Sequence, residues 1–349
     1  MAVEKLEKDW VKYPILHLDL NIEKYDTPDS LDNILDKSLT AWEKLYGAEP
    51  SERSFSLRFA GIIERACKQA GQRVVILVDE YDKPMLQAIG NEELQRQFRN
   101  ALKPFYGALK TMDGCIKFAF LTGVTKFGKV SVFSDLNNLD DISMRKDYVE
   151  LCGVSDRELH DTLDAELHEF ADVRGVTYDK LCAELKECYD GYHFTHNSIG
   201  MYNPFSLLNA FKYKEFGSYW FETGTPTYLV SLLKKHHYDL ERMAHEETDA
   251  QVLNSIDSES TNPIPVIYQS GYLTIKGYDE EFGIYRLGFP NREVEEGFVR
   301  FMLPYYANVN KVESPFEIQK FVREVRSGDY DSFFRRLQSF FADTTYEVI

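Results

Sequence analysis

The sequence predicts an α/β protein: a parallel sheet flanked by helices over residues 1–151, a helical domain over 152–258 and a hairpin-bearing module over 259–310. Three observations carry this. Val74-Val75-Ile76-Leu77-Val78 is an unbroken, mostly β-branched apolar run, which reads as a strand covered on both faces and so as part of a parallel sheet. A second such run, Cys115 to Thr122, follows it after one helical stretch, the alternation expected of βαβ units. Beyond Leu151 the strand–helix alternation gives way to helices with capping signals, and then to two short β-prone runs across a turn.

In order, Pro14 to Leu20 reads as the first strand. Thr27 suits a helix N-cap and Pro28 its first position, where a missing N–H costs nothing. Leu31, Leu35, Leu39, Trp42 and Leu45 supply an apolar face at helical spacing, and Gly47 closes the helix. A second helix runs from about Phe55 to Ala70, with Gly71 as its stop. The acidic-ended strand follows. Asn91 to Met112 is helical, and Asp113-Gly114 turns the chain into the second buried strand.

Ser155-Asp156-Arg157-Glu158 is a capping box opening a helix that reaches about Val173. Helices follow over Thr177 to Tyr189, from Asn203-Pro204 with Leu207, Leu208 and Phe211 at helical spacing, and from Thr225-Pro226. After a segment at Ile264 to Tyr268, Ser270 to Ile275 and Gly283 to Leu287 read as a hairpin, and a helix continues through Val294, Phe298 and Phe301. Helix, hairpin, helix is the outline of a winged-helix-like module. Residues 311–349 read as a helical lead-in to whatever would follow.

In parallel sheets ligands bind at the carboxyl ends of the strands. Asp79 and Glu80, which end the first apolar run, therefore stand where chemistry belongs. In P-loop ATPases an Asp in this place helps hold Mg²⁺, and a following Glu can polarise the attacking water. The bland alternative, a strand ending in a solvated acidic turn, weighs about as much on these residues alone. No G-x-x-x-x-G-K-[ST] precedes Val74. A near match at Gly123 to Ser131 has Val130 where a Ser or Thr must ligate Mg²⁺, so it reads as a loop at the end of a neighbouring strand. Lys126 and Lys129 would lie close to any bound phosphate there.

Other clusters favour structural readings. His193 and His196, and the adjacent His236 and His237, lack an acidic or Cys partner at metal-ligand spacing. Tyr189-Asp190-Gly191-Tyr192-His193-Phe194 reads as a tight D-G turn whose aromatics pack a domain junction, and Phe216 to Phe221 as packing too. There is no G-x-S-x-G elbow.

The formal net charge of −17 over 349 residues, with 44% hydrophobic content, argues for real cores and against broad binding to nucleic-acid phosphates. The five cysteines form no C-x-x-C pair, which suits a reducing compartment. The first eight residues lack the apolar region of a signal peptide, and no window is apolar enough to span a membrane. These features predict a cytoplasmic protein without membrane contact.

Taken together, Leu77 to Pro84, Leu121 to Phe127, Leu136 to Ser143, Tyr189 to Phe194, Tyr202 to Ser206 and Trp220 to Pro226 make the chain resemble the AAA-ATPase-like family abundant in gut anaerobic bacteria. The resemblance implies a P-loop NTPase-like parallel sheet, ATP and Mg²⁺ as ligands, and often a C-terminal nuclease-like domain of the PD-(D/E)XK type. Carried over by motif, Asp79 is the carboxylate on Mg²⁺, held through water. Glu80 is the water-activating carboxylate and Thr122 the polar sensor. Two departures accompany it: the R-P-R-R-F-G-K-S-L phosphate loop expected just upstream of Glu4 is not in the sequence, and the nuclease-like domain would begin near Tyr346. The expectation is a chain cut at both ends and inactive as given, because the N–H cradle and lysine of the missing loop supply most of the stabilisation in phosphoryl transfer. The rival reading is a non-catalytic module whose helical domain binds a partner protein and whose winged helix is a candidate DNA contact; the acidic net charge predicts that any such binding is weak or absent.

Overall fold

A computed structural model describes residues 5–126, 136, 138–222, 233, 243, 246–254, 262–306 and 314–342. The chain divides into two compact units: residues 1–141 with 251–270, and residues 142–250 with 271–349.

The first unit is built on a parallel sheet of order β1-β2-β3, with β1 Ile15–Asp19, β2 Val74–Asp79 and β3 Ile116–Leu121. Helices α1 Asp29–Tyr46, α2 Phe55–Ala70, α3 Lys83–Gln87 and α4 Glu92–Thr111 connect the strands. Val74, Ile76 and Val78 of the central strand are buried, as are Leu16 and Leu18 of β1. α1, α2 and α4 meet through a ring stack in which Phe59 lies 5.8 Å from Trp42 and 4.5 Å from Phe105. Gly71 ends α2 with φ +61°, a left-handed turn that glycine adopts without strain.

The structure corrects three details of the sequence reading. α1 begins at Asp29 with Pro28 in the cap position, and Thr27 contributes its carbonyl, which accepts from the amide and hydroxyl of Ser30, rather than its own side chain. Leu45 lies on the exposed side of α1, and Leu208 is exposed on the third helix of the second unit. β3 is not a buried strand. Among the described residues it pairs on one side only, with β2, and Phe118 is 54% exposed.

The second unit opens with the two-residue strand β4 Val154–Ser155, paired antiparallel to β5 Met201–Tyr202. The capping box forms as expected: Ser155 Oγ accepts from the Glu158 amide, and the Glu158 carboxylate accepts from the Ser155 amide. It starts α5 Asp156–Arg174, which packs with α6 Tyr178–Tyr189 and α7 Pro204–Tyr213 around Phe170, Tyr189 and Phe211. Asn203 caps α7 through its side chain. The helix expected from Thr225-Pro226 lies outside the described residues. The hairpin is present as β7 Thr274–Asp279 and β8 Ile284–Gly288, joined by a third strand, β6 Glu247–Asp249, that the sequence did not suggest. The helix Arg292–Tyr306 and the pair Ser314–Ser327 and Tyr330–Ala342 complete this unit. The helix Ile264–Gln269, which precedes the hairpin in sequence, belongs to the first unit.

The D-G turn after α6 does hold a junction inside the second unit. A Cβ on Gly191 would stand 2.3 Å from the Pro290 carbonyl oxygen, so only glycine fits. The His193 amide donates to Thr274 Oγ1 at 2.7 Å, and that hydroxyl donates back to the His193 carbonyl at 3.1 Å. His193 Nδ1 lies 2.9 Å from the Ser198 carbonyl oxygen, and His196 stacks on Tyr278. Among the described residues no group of His, Cys, Asp and Glu could hold a metal on its own, and no helix is long and apolar enough to cross a membrane. Every cysteine is free.

Candidate functional site

The carboxyl ends of the three parallel strands bring Asp19, Asp79 and Thr122 level with one another. β1 ends at Asp19 and β2 at Asp79, and these two residues are register partners. β3 ends at Leu121, which brings Thr122 level with them. The Thr122 amide donates to the Val78 carbonyl at 2.9 Å, and the Tyr81 amide donates to the Thr122 carbonyl at 3.0 Å. These two ladder-like bonds seat the threonine so that Thr122 Oγ1 donates to Asp79 Oδ1 at 2.7 Å. The same carboxylate oxygen accepts from the Glu80 amide at 3.1 Å.

Glu80 has φ +56°, a left-handed conformation that an L side chain adopts at a cost. It persists because the turn is fastened on both sides, by Tyr81 to Thr122 and by the Lys83 amide donating to the Glu80 carbonyl at 3.0 Å. Burial pushes the Glu80 carboxyl above its usual range, the charges of Asp82 and Asp79 push it the same way, and Lys83 opposes them. A carboxylate with raised proton affinity is suited to taking a proton from water. The Lys83 ammonium itself donates to the Asn21 carbonyl at 3.0 Å and contacts Asn21 Oδ1, fastening the segment after β1 to the acidic turn.

Two features of this edge escaped the sequence reading. Asp82 is 1% exposed, and its carboxylate reaches across to the loop after β3. It accepts from the Val124 amide at 3.3 Å and from the amide and hydroxyl of Thr125 at 2.5 Å each. Tyr81 OH donates to the Thr125 carbonyl at 2.8 Å. By position Asp82 is the N-cap of α3, yet its side chain makes no cap bond there. That mismatch is visible only in three dimensions. The second feature is Gln269, whose Oε1 accepts the Lys126 amide at 2.5 Å. Nothing in the sequence near Gln269 points to this.

Of the predicted site residues, Asp79, Glu80 and Thr122 come together. Lys126 follows on the same loop, with its ammonium 2.8 Å from Asp141 Oδ2. Lys129 lies outside the described residues, as does the near match to a phosphate loop from Phe127 onward. The set fits one half of a Mg–nucleotide site. Exposed Asp79, steadied by a hydroxyl, could hold Mg²⁺ through water, with Glu80 beside it. The other half, a cradle of backbone N–H groups with its lysine and a Ser or Thr on the metal, has no sequence match in the 349 residues.

Residues 1–133 match the family described as AAA-ATPase-like, predicted AAA-ATPase. A protein of Azotobacter chroococcum mcd 1, described as "Uncharacterized protein in vnfD 5'region", is 35% identical over 302 residues, which are 85% of this chain and 56% of that protein. The chain therefore spans about half the length of this relative. No solved structure matches it. Asp79, Glu80, Asp82, Thr122 and Lys126 fall inside the matched stretch, and Gln269 falls outside it.

Proposed function

We propose, from the membership of residues 1–133 in the predicted AAA-ATPase-like family, that the first unit is the nucleotide-handling core of a P-loop-type ATPase with a regulatory role. The observation that supports this most directly is the 2.7 Å hydrogen bond from Thr122 to Asp79 at the carboxyl ends of adjacent parallel strands. In this reading Asp79 holds Mg²⁺ through water, and the metal neutralises charge on the transferring phosphate when bound. Glu80 orients the attacking water and accepts its proton. Thr122 keeps the Asp79 carboxylate in one orientation and reports the state of the site to the loop after β3. Lys126, and Lys129 further along, supply positive charge near the phosphates.

The chain as given turns ATP over slowly or not at all, because the phosphate-loop half of the site is not in its sequence. Two measurements test the reading. Saturation-transfer NMR with ATP and Mg²⁺, which detects weak binding, gives a signal on the ATP protons that is lost in Asp79→Ala. Phosphate release stays far below the enzyme median of about 10 s⁻¹. No ATP signal in the wild type counts against a nucleotide site. A turnover near that median, abolished by Glu80→Gln, shows that the chain carries a complete site.

A second reading has one observation behind it. The edge of β3, unpaired on its far side among the described residues and with Phe118 exposed on the same strand, is a surface on which another strand could pair, as in protein-interaction modules.

A further inference from the structure

The loop Thr122–Lys126 has no secondary structure of its own, so its backbone groups depend on borrowed partners. The Thr122 amide finds the Val78 carbonyl, and those of Val124 and Thr125 find the Asp82 carboxylate. The last, that of Lys126, finds Gln269 Oε1. Asp82 therefore grips the middle of the loop from the acidic turn, and Gln269 grips its far end from a helix 143 positions later in the chain. Gln269 ends the helix Ile264–Gln269, and its Nε2 donates to the Leu253 carbonyl at 2.7 Å, in the helix Ala250–Asn254. One amide side chain thus does two separable jobs, as an acceptor to the loop and a donor to a neighbouring helix.

We propose that Gln269 is a positioning residue of the nucleotide site, fixing the end of the Thr122–Lys126 loop so that Thr122 stays on Asp79 and Lys126 stays beside the carboxyl edge. This rests on the ATPase reading above. The physical case is the two-point support. Without Gln269 the Lys126 backbone amide loses this acceptor, and the ion pair of its ammonium with Asp141 acts through a long flexible side chain that does not fix the backbone. Glutamine suits the second point because it offers a neutral acceptor and a donor at once. A glutamate in its place keeps the acceptor and loses the donor to Leu253. An alanine loses both. A merely structural tie between the two helices depends on the donor, while loop positioning depends on the acceptor, and the two variants separate these roles.

The test compares wild type, Gln269→Glu and Gln269→Ala by hydrogen exchange at the Lys126 amide and by saturation-transfer NMR with ATP and Mg²⁺. The expected result is that Gln269→Ala speeds Lys126 exchange by about fivefold to tenfold, the loss of one hydrogen bond, and weakens the ATP signal severalfold. Gln269→Glu retains both. An ATP signal unchanged in Gln269→Ala overturns the inference and leaves the ATPase reading standing. Gln269→Glu behaving like Gln269→Ala also overturns it, because the tie to Leu253 would then be the whole role. If the wild type gives no ATP signal, the ATPase reading itself falls, and this inference falls with it.

Discussion

A Cβ on residue 123 would stand 2.2 Å from Asp82 Oδ1, so Gly123 and Asp82 are a matched pair. The glycine is there because the carboxylate needs its space. Gly123→Ala should destabilise the protein, since the side chain it meets is buried and hydrogen-bonded rather than free to swing away. In an Asp82→Ala background the same change should cost less, with Tyr81 Cδ1, 3.0 Å away, still having to give. Urea unfolding of the two single variants and the double variant should show a coupling of about 1–3 kcal/mol. Additive effects would mean that the two residues do not share this space.

The left-handed backbone at Glu80 gives a second expectation. Glu80→Gly should stabilise the fold by about 1 kcal/mol, because glycine adopts φ +56° without the clash of a Cβ. Glu80→Gln, which keeps the Cβ and relieves only the buried charge, should stabilise by less. If both variants stabilise equally, carboxylate repulsion rather than backbone strain is the cause.

Burial pushes the Asp82 carboxyl above its ordinary value of 3.8, and the hydrogen bonds from Thr125 and Val124 oppose the shift without cancelling it. A raised carboxyl stays protonated in the folded state after the unfolded chain has released its proton. Stability is therefore lost as pH rises from the unfolded value through the folded one. Asp82→Asn removes this dependence, so its stability relative to wild type should improve as pH rises across that window. Denaturation midpoints measured from pH 4 to pH 7 decide the matter, and a difference that is flat or falls with pH contradicts it.

The one-sided pairing of β3 among the described residues predicts association between chains. An apolar strand edge with Phe118 exposed invites pairing with another strand. Light scattering should show the chain self-associating at concentrations where Phe118→Lys stays monomeric, because a charge on an edge opposes strand addition. A wild type that is already monomeric removes the argument.

The hairpin of the second unit should not bind DNA tightly. Lys276 donates to the Pro290 carbonyl, and Arg292 donates to Glu187 and to the Cys188 sulfur, so these basic groups of the hairpin and the helix after it are partly engaged within the fold. The net charge of −17 works in the same direction. A fluorescence titration reaching sub-micromolar affinity at physiological salt, and losing it on Arg286→Glu, is the result that refutes this.

The acidic turn was legible because its signal is local. An unbroken, largely β-branched apolar run reads as a strand, and the carboxylates that follow it then stand at that strand's carboxyl end. Caps at Ser155 with Glu158, Thr177 and Asn203 bond within their own first turn, whereas the Thr27 side chain expected to cap α1 does not. The supports of the site were not legible. Asp82 is separated by 43 residues from the Thr125 groups it holds, and beside Lys83-Pro84 it looks like an ordinary helix cap. The three residues of β6 are too few to show a period, and their pairing with β8 comes from distant chain. The apolar character of β3 spoke for burial, but which strand occupies the edge of a sheet is decided by its neighbours, not by its own residues.

The first unit is discontinuous in sequence, and that sets the timetable of its birth on the ribosome. Residues 1–141 emerge first, but residues 251–270 emerge only after the intervening stretch has been made. At roughly 5–20 residues per second, Gln269 follows Lys126 into existence after a delay on the order of 10 s. During that interval the nascent loop after β3 has Asp82 to hold it but not Gln269.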